Sequence, residues 1–96
     1  MVKVNVYLDF NCSSCEEYLE AMEFWTDFYS FDYTLNKLDD DPVKMFEDVR
    51  GYRKEGIPVE YFPFVIIDND KLEKKEFKSG ILNKIEIERL MTNHGR

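Results

Sequence analysis

The strongest constraint on the fold of this chain is a short region where a strand pattern passes into a helix pattern across two cysteines. Apolar and polar residues alternate from Val2 to Phe10, and this period of two is typical of a β-strand. From Tyr18 to Tyr29 the apolar residues recur every three or four positions, as on one face of an amphipathic helix. Cys12 and Cys15, the only cysteines, lie between the two patterns. The sequence therefore predicts a cysteine pair where a strand meets a helix N-terminus.

A helix N-terminus favours the reactive form of a cysteine. Its backbone N–H groups lack helical partners and its dipole end is positive, so a thiolate at Cys12 is stabilised and its pKa is expected to fall. Asp9, Glu16 and Glu17 oppose a further negative charge, so we predict only a moderate lowering. Residues three apart on a helix are neighbours, so Cys15 can reach Cys12. The pair is therefore suited to thiol–disulfide exchange.

Length and composition exclude several classes of protein. With 96 residues, of which 44% are hydrophobic, we expect one globular domain over residues 1–96. No apolar run approaches the roughly 20 residues of a membrane-spanning helix, and no signal-peptide pattern precedes the first strand. We therefore expect a cytoplasmic protein, in which a cysteine pair is more often catalytic or metal-binding than structural. The net charge of −7 argues against a nucleic-acid partner, and a monomer is the simplest expectation.

The rest of the chain predicts alternating strands and helices. Asp41 and Pro42 suit the N-cap and first position of a helix, and Asn83 with Glu86 forms a capping-box pattern. The order βαβαββα predicts an α/β fold, a four-stranded mixed sheet with helices on both faces. The predicted strands are Lys3–Phe10, Phe31–Leu35, Phe62–Ile67 and the edge strand Glu73–Lys78, and the helices are Ser14–Tyr29, one that begins at Pro42, and Lys84–Thr92.

The sequence also indicates where the second and third helices end. Gly51 and Gly56 both fit the end of the second helix. We expect a frayed tail from Asn93 to Arg96, with His94 in solvent.

Helical spacing also assigns side chains to the core. Phe24 and its neighbours are interpreted as core or near-core packing, not as a binding site. The inward-facing residues predicted are Phe24, Trp25 and Phe28 in the first helix, Val43, Phe46 and Val49 in the second, and Ile87, Leu90 and Met91 in the third.

Residues 50–61 form the least regular part of the sequence and carry a small basic group, Arg50, Arg53 and Lys54. Two interpretations remain open. The segment is either a surface loop or a docking surface for an anionic group of a substrate. The second is of interest because the segment leads directly into Phe62-Pro63, where a strand begins.

With Cys12-Ser13-Ser14-Cys15 before the first helix and Phe62-Pro63 opening the third strand, the chain resembles the thioredoxin fold. Its length is most similar to the small glutaredoxins, including the glutaredoxin-like proteins of phages and archaea. The resemblance covers nearly the whole chain, and Ser79-Gly80 is a weaker third element. It implies a glutaredoxin-like thiol–disulfide oxidoreductase that serves electron transport and cell redox homeostasis.

The resemblance also implies roles for particular residues. Cys12 would be the exposed nucleophile and Cys15 the more buried resolving thiol. Pro63 would be a cis-proline beside the cysteines, with Pro58 as the alternative. Phe62 would offer its backbone N–H and C=O groups to a bound peptide or to glutathione.

Further substrate contacts follow from the same resemblance. Ser79-Gly80 would present backbone N–H groups to a substrate carboxylate. Independently of the resemblance, Arg53 and Lys54 of the basic group are candidates for substrate binding, because their segment leads into Phe62-Pro63. The expected partners are proteins that carry disulfides, with glutathione as co-substrate or a thioredoxin reductase as electron donor. No bound cofactor or metal is expected.

The sequence departs from the family pattern near the cysteines, so alternatives stay open. Asp9 stands where glutaredoxins commonly have lysine, Val6 replaces the buried aspartate of thioredoxins, and both residues between the cysteines are serine. One alternative is a thioredoxin-like reductase of protein disulfides that does not use glutathione. Others are a non-enzymatic interaction module, a zinc site, and an iron–sulfur cluster shared between two copies.

Overall fold

Strands and helices alternate in the predicted order. The structure, a computed structural model, describes residues 1–9 and 12–95, so the parts predicted for Phe10 and Asn11 lie outside the described residues. A short 3₁₀ turn, Ser13–Cys15, precedes the first helix. None of the helices in the described residues is long and apolar enough to cross a membrane. Within those residues the elements are β1 (Val2–Leu8), α1 (Glu16–Phe28), β2 (Asp32–Lys37), α2 (Pro42–Lys54), β3 (Phe64–Asn69), β4 (Glu76–Ser79) and α3 (Lys84–Gly95).

The four strands form one mixed sheet in the order β2-β1-β3-β4, which confirms the predicted fold class. β1 pairs with β2 in parallel and with β3 antiparallel, and β4 pairs antiparallel with β3. Because β3 is central and covered on both faces, its first four residues are all buried, as the unbroken apolar run predicts. The charged strand β4 lies at an edge, also as predicted.

Two hydrophobic clusters lie on opposite faces of the sheet, because successive side chains of β1 and β3 point to opposite sides. One cluster is covered by α1 and α3, and the other by α2 and the loop that follows it. The first contains Val4, Val6, Leu8, Cys15, Tyr18, Met22, Val65, Ile67, Ile87, Leu90 and Met91. The second contains Tyr7, Met45, Ile57, Val59, Phe64 and Ile66.

The capping signals of α2 are used as predicted. The Asp41 carboxylate accepts a hydrogen bond from the Lys44 N–H at 3.1 Å, and Pro42 is the first helical residue. The helix continues through Gly51 and ends at Lys54. Gly56, with φ of +86°, supplies the left-handed residue beyond the helix end, so it is the stop signal of the two glycines.

The capping box of α3 is also formed. The Glu86 N–H donates to the Asn83 side chain at 2.8 Å, and the Asn83 N–H donates to the Glu86 carboxylate at 3.2 Å. Leu82 packs against the cluster that contains Ile87, as expected for a hydrophobic staple.

The prediction that Phe24 and Phe28 pack in or near the core is wrong. Phe24 is 59% and Phe28 is 65% exposed, whereas Trp25 is half-buried. The buried stripe of α1 instead contains Tyr18, Met22 and Thr26, spaced four residues apart. Apolar residues in this helix wrap around more than one face, and only one face can lie on the sheet.

The predicted inner face of α2 is partly wrong. Val43 and Phe46 are exposed, Val49 is half-buried, and Met45 is the buried residue. The helix is therefore rotated about its axis relative to the prediction.

Hydrogen bonds beneath α2 account for this rotation. The Tyr7 hydroxyl, which rises from the sheet, donates to the Asp48 carboxylate at 2.8 Å and lies 2.9 Å from the Tyr52 hydroxyl. Lys44 pairs with the same carboxylate at 2.7 Å. Since buried hydroxyls need partners, these contacts turn Asp48 and Tyr52 towards the sheet.

The prediction of a frayed tail with a solvated histidine is also wrong for Asn93 to Gly95, and Arg96 lies outside the described residues. α3 runs to Gly95, and His94 is only 5% exposed. The Lys71 N–H donates to the Asn69 side-chain oxygen at 3.1 Å, which leaves the Asn69 amide to donate to His94 Nδ1 at 3.1 Å. The opposite ring nitrogen, Nε2, donates to the Glu76 carboxylate at 2.7 Å. His94 therefore joins α3 to both β3 and β4.

Candidate functional site

The two cysteines are joined by a disulfide at the start of the helical segment. Their Cα atoms are 5.3 Å apart, and the Cys15 N–H donates to the Cys12 carbonyl at 3.2 Å. Cys12 is half-buried, whereas Cys15 is 0% exposed and belongs to the cluster under α1 and α3. The pair lies on the 3₁₀ turn, so α1 begins after the motif and not at the predicted Ser14.

Charge around the motif is negative. Glu16 and Glu17 occupy the first turn of α1, where carboxylates stabilise the helix through its dipole. Both are exposed, as is Asp9. The same charges oppose a thiolate at Cys12 while the helix N-terminus favours it, and the balance between the two effects stays a prediction.

A second part of the predicted site lies at the start of β3. The Phe62–Pro63 peptide bond is cis, as predicted, and Pro63 is fully buried. The Gly80 N–H donates to the Pro63 carbonyl at 2.8 Å, and Ser79 pairs with Phe64 across β3 and β4. Gly80 has φ of +87°, which glycine adopts without steric penalty. The structure therefore brings the Phe62-Pro63 and Ser79-Gly80 segments together.

Strand register relates these segments to the cysteines. Tyr7, near the end of β1, lies directly opposite Phe64, the first residue of β3. Because the two strands are antiparallel, the end of β1 that leads to Cys12 lies beside the start of β3 that follows Pro63. The cysteine motif, Pro63 and Gly80 thus lie at the same end of the sheet's strands.

The basic group lies on a helix, so the prediction of irregular structure from residue 50 is wrong for Arg50 to Lys54. The Arg53 guanidinium donates to the Val59 carbonyl at 3.0 Å and so holds the loop that leads to Pro63. Arg50 and Lys54 are exposed on the same part of α2. Arg53 is therefore partly structural, and the other two cations face solvent.

These cations border a groove of about 630 Å³ beside α2, which we call the α2 groove. Phe62 lines it and is half-buried, so the groove reaches the residue before the cis-proline. The basic border contrasts with the net charge of −7 for the whole chain. The lining residues are Leu38, Met45, Phe46, Val49, Arg50, Arg53, Lys54 and Phe62.

Sequence reasoning missed a second groove, of about 860 Å³, between the first turns of α1 and α3. Ser14 of the cysteine motif lines it, together with Ile81 and Ile85, both more than half exposed. Part of the signal was available, because Ile85 lies off the buried stripe of α3, and Ile81 lies just before that helix. We call it the α3 groove, and it gives the motif an apolar neighbour.

Tyr18 lies beneath the motif and also contacts the α3 groove. Its hydroxyl is buried and has no hydrogen-bond partner among the described residues. Burial raises the pKa of Tyr18 well above its ordinary value, so the side chain stays neutral. In the described ranges, 1–9 and 12–95, no group of three or more His, Cys, Asp or Glu residues is placed to hold a metal ion.

The sheet order, the cis-proline and the cysteine pair before α1 define a thioredoxin-like fold that carries a Cys-x-x-Cys disulfide. Comparison with solved structures agrees. The chain is similar to the thioredoxin of Fasciola hepatica, with a TM-score of 0.63 and 15% identity over 97% of this chain and 80% of that one. The thioredoxin of Malassezia sympodialis gives a TM-score of 0.65 and 15% identity over 99% of this chain and 76% of that one.

A structure described only as a malarial protein is also similar, with a TM-score of 0.65, 18% identity and coverage of 98% and 97% of the two chains. No family model and no curated protein matches the sequence. At these identities the structural likeness shows the fold alone. The neighbours give no support to the predicted closeness to phage and archaeal glutaredoxins.

Proposed function

We propose that the protein is a thiol–disulfide oxidoreductase. The Cys12 thiolate attacks one sulfur of a substrate disulfide, which forms a mixed disulfide and releases the first substrate thiolate. Cys15, after losing its proton, attacks the Cys12 sulfur and releases the second substrate thiolate. The substrate disulfide is thereby reduced, and the protein is oxidised to its Cys12–Cys15 disulfide.

One observation carries this proposal, namely the unequal burial of two bonded cysteines at the end of the sheet where the cis-proline lies. Cys12, as the half-buried residue, can meet a substrate, whereas the fully buried Cys15 can only meet Cys12. Exchange needs this order, because the nucleophile must be accessible and the resolving thiol must be held close. A purely structural disulfide would not need an accessible member.

For the electron donor, glutathione is the first candidate. It carries two carboxylates, and the basic border of the α2 groove would attract them. Arg50 and Lys54 are better placed for this than Arg53, which already donates to the loop. The Gly80 N–H cannot contribute as predicted, because it already donates to the Pro63 carbonyl. Under this proposal the protein reduces disulfide-bearing proteins in the cytoplasm, as a monomer, with glutathione as co-substrate.

A thioredoxin-like reductase that is independent of glutathione is the second candidate. Two apolar grooves flank the site, and peptide substrates rather than glutathione would bury such surfaces. The thioredoxin neighbours are consistent with this candidate. In that case a dedicated reductase returns electrons to the disulfide.

The test is reduction of a glutathione mixed disulfide, with glutathione and glutathione reductase regenerating the protein. Activity lost in Cys12→Ser and retained in Cys15→Ser would support glutathione-dependent chemistry. Absence of activity in protein that still forms its disulfide would favour the second candidate. If Cys12→Ser kept every activity of the unmodified protein, the oxidoreductase proposal would be wrong.

A matched pair of lysine variants tests the basic border. Lys54→Gln should raise the KM for the glutathione mixed disulfide and leave kcat unchanged, because it removes an attraction present throughout the reaction. Lys74→Gln, an exposed lysine in the β3–β4 connection, should change neither constant. Equal effects of the two variants would show that only net charge matters.

A further inference from the structure

Four aromatic side chains at the end of α1 form a continuous cluster. The ring of Trp25 lies 5.1 Å from Phe24 and 5.5 Å from Phe28, and Phe28 lies 4.9 Å from Tyr29. Trp25 and Tyr29 are half-buried, but Phe24 and Phe28 are mostly exposed. We call the surface of Phe24, Trp25 and Phe28 the aromatic face.

Phe24 and Phe28 have no role in the packing of α1, whereas Trp25 packs partly against the cluster beneath the helix. Tyr18, Met22 and Thr26 supply the buried stripe of this helix, on its other side. At 1.5 Å per residue, Phe28 lies roughly 18 Å along the axis from Glu16, so the face is far from the cysteines. Two adjacent exposed phenylalanines on a monomer typically mark a surface that another molecule covers.

Charge around the aromatic face is of one sign. All five charged residues of α1 are acidic, and Glu20, Glu23 and Asp27 lie beside the exposed rings. The same three carboxylates line a groove of about 620 Å³ next to Phe24. A complementary surface must therefore combine apolar side chains with lysine or arginine.

We propose that the aromatic face is a docking surface for a partner protein, which presents a basic amphipathic helix. Its apolar side chains would cover Phe24 and Phe28, and its cations would meet the three carboxylates and the ring faces. A second copy of this chain does not fit, because a two-fold contact would place one acidic α1 against another. Nucleic acids and anionic lipids are repelled for the same reason.

The protein contains a natural probe of this surface, since Trp25 is its only tryptophan. A short amphipathic helical peptide made of leucine and lysine represents the partner, and the matched leucine–glutamate peptide is the control. We expect the lysine peptide to bind with a blue shift of Trp25 emission, and the glutamate peptide not to bind. Titration calorimetry gives the affinities.

Three variants locate the binding. Phe24→Ser/Phe28→Ser keeps every charge and should weaken binding at least about tenfold, as expected for aromatic anchors. Glu20→Gln/Glu23→Gln/Asp27→Asn keeps the rings and should weaken binding and remove its salt dependence. Val43→Ser/Phe46→Ser removes a matched pair of exposed apolar residues from α2 and should bind the lysine peptide like the parent.

Several results would overturn the proposal. Unchanged affinity in Phe24→Ser/Phe28→Ser, or an equal loss in Val43→Ser/Phe46→Ser, would show that the peptide binds elsewhere. Binding of the glutamate peptide, or of neutral phosphatidylcholine vesicles, with the same Trp25 shift would mean that charge does not select the partner. Concentration-dependent dimers in sedimentation, lost in Phe24→Ser/Phe28→Ser, would assign the face to a second copy. Cys12→Ser should bind normally, so this test is independent of the redox proposal.

Discussion

Removing the Tyr18 hydroxyl should stabilise the protein, although tyrosine-to-phenylalanine changes in a core usually do not. The hydroxyl is buried without a hydrogen-bond partner among the described residues, and the side chain is only 2% exposed. An unpaired buried hydroxyl costs about 1–3 kcal/mol. We therefore expect Tyr18→Phe to raise the free energy of unfolding by about 1–2 kcal/mol at pH 7, since some relaxation already reduces that penalty.

Tyr7→Phe is the matched control, because it deletes the same atom from a residue of the same 2% exposure. The Tyr7 hydroxyl has two partners, the Asp48 carboxylate and the Tyr52 hydroxyl. Its loss leaves both partners short of a hydrogen bond, which should lower the free energy of unfolding by about 1.5–3 kcal/mol. The two variants thus change stability in opposite directions.

Alkaline pH should favour both variants relative to the parent, because burial raises the pKa of Tyr7 as well as that of Tyr18. Burial raises the pKa of Tyr18 above its ordinary value of 10.0, so the folded protein keeps this proton when the unfolded chain loses it. The stability that this proton provides is fully present below pH 10 and is lost as pH rises further. At pH 11 the loss is about 1.4 kcal/mol for each such tyrosine, so the advantage of Tyr18→Phe over the parent should grow by about that amount.

Urea unfolding at pH 7 and pH 11, followed by far-UV circular dichroism, measures these differences. The linear slope against urea should be unchanged, so the midpoints report stability directly. A loss of more than about 1 kcal/mol in Tyr18→Phe, comparable with that in Tyr7→Phe, would refute the reasoning, because such a loss is typical of a satisfied hydroxyl.

Further predictions concern the helices. His94→Leu should lower the free energy of unfolding by about 2–4 kcal/mol, because it leaves the Asn69 amide unpaired and breaks the contact with Glu76. Its control is Asn93→Ala, at an exposed position, which should change the free energy of unfolding by less than about 0.5 kcal/mol. Gly51→Ala, in the helix with open space around it, should stabilise by up to about 1 kcal/mol, and Gly56→Ala, at φ of +86°, should destabilise by about 1–2 kcal/mol. Asp41→Ala should cost about 1 kcal/mol through loss of the cap of α2. Urea midpoints check all three, and a reversed order within either matched pair would contradict the structure.

The parts of the fold that depend on neighbouring residues could be predicted from the sequence. Alternation over β1, the apolar run of β3 and the caps at Asp41 and Asn83 are local signals. They predicted the order of the elements and the approximate bounds of all but the end of α2. The pairing of Cys12 with Cys15 needed no more, because these are the only cysteines. Local patterns suffice where the physical cause lies within a few residues.

What could not be predicted depends on contacts between distant residues. The face of α2 that meets the sheet is set by the hydrogen bond from Tyr7 to Asp48, and these two residues are far apart in the sequence. Similarly, His94 is buried because it forms hydrogen bonds with Asn69 and Glu76, which lie on two different strands. The exposure of Phe24 and Phe28 follows from a choice between two apolar faces of one helix, which spacing alone does not decide.

For the site, the motif was evident and the cis-proline at Pro63 followed from the family resemblance, with Pro58 as the alternative, but the position of the basic group was not evident. Arg53 was a candidate for substrate binding, and its bond to the Val59 carbonyl became visible only in the structure. The α3 groove was missed because Ile85 looks like an ordinary helix residue, and Ile81 like an ordinary loop residue, until the first turn of α1 lies beside them.

The central claim is that Cys12 is the attacking sulfur and Cys15 the resolving one. The most direct measurement is intact-mass analysis of the two single-cysteine variants after brief exposure to oxidised glutathione. Because Cys12 is half-buried, we expect rapid addition of one glutathione to the Cys15→Ser variant, which retains Cys12. Because Cys15 is 0% exposed, we expect little addition to the Cys12→Ser variant. Equal rates in the two variants, or faster addition to Cys12→Ser, would contradict it.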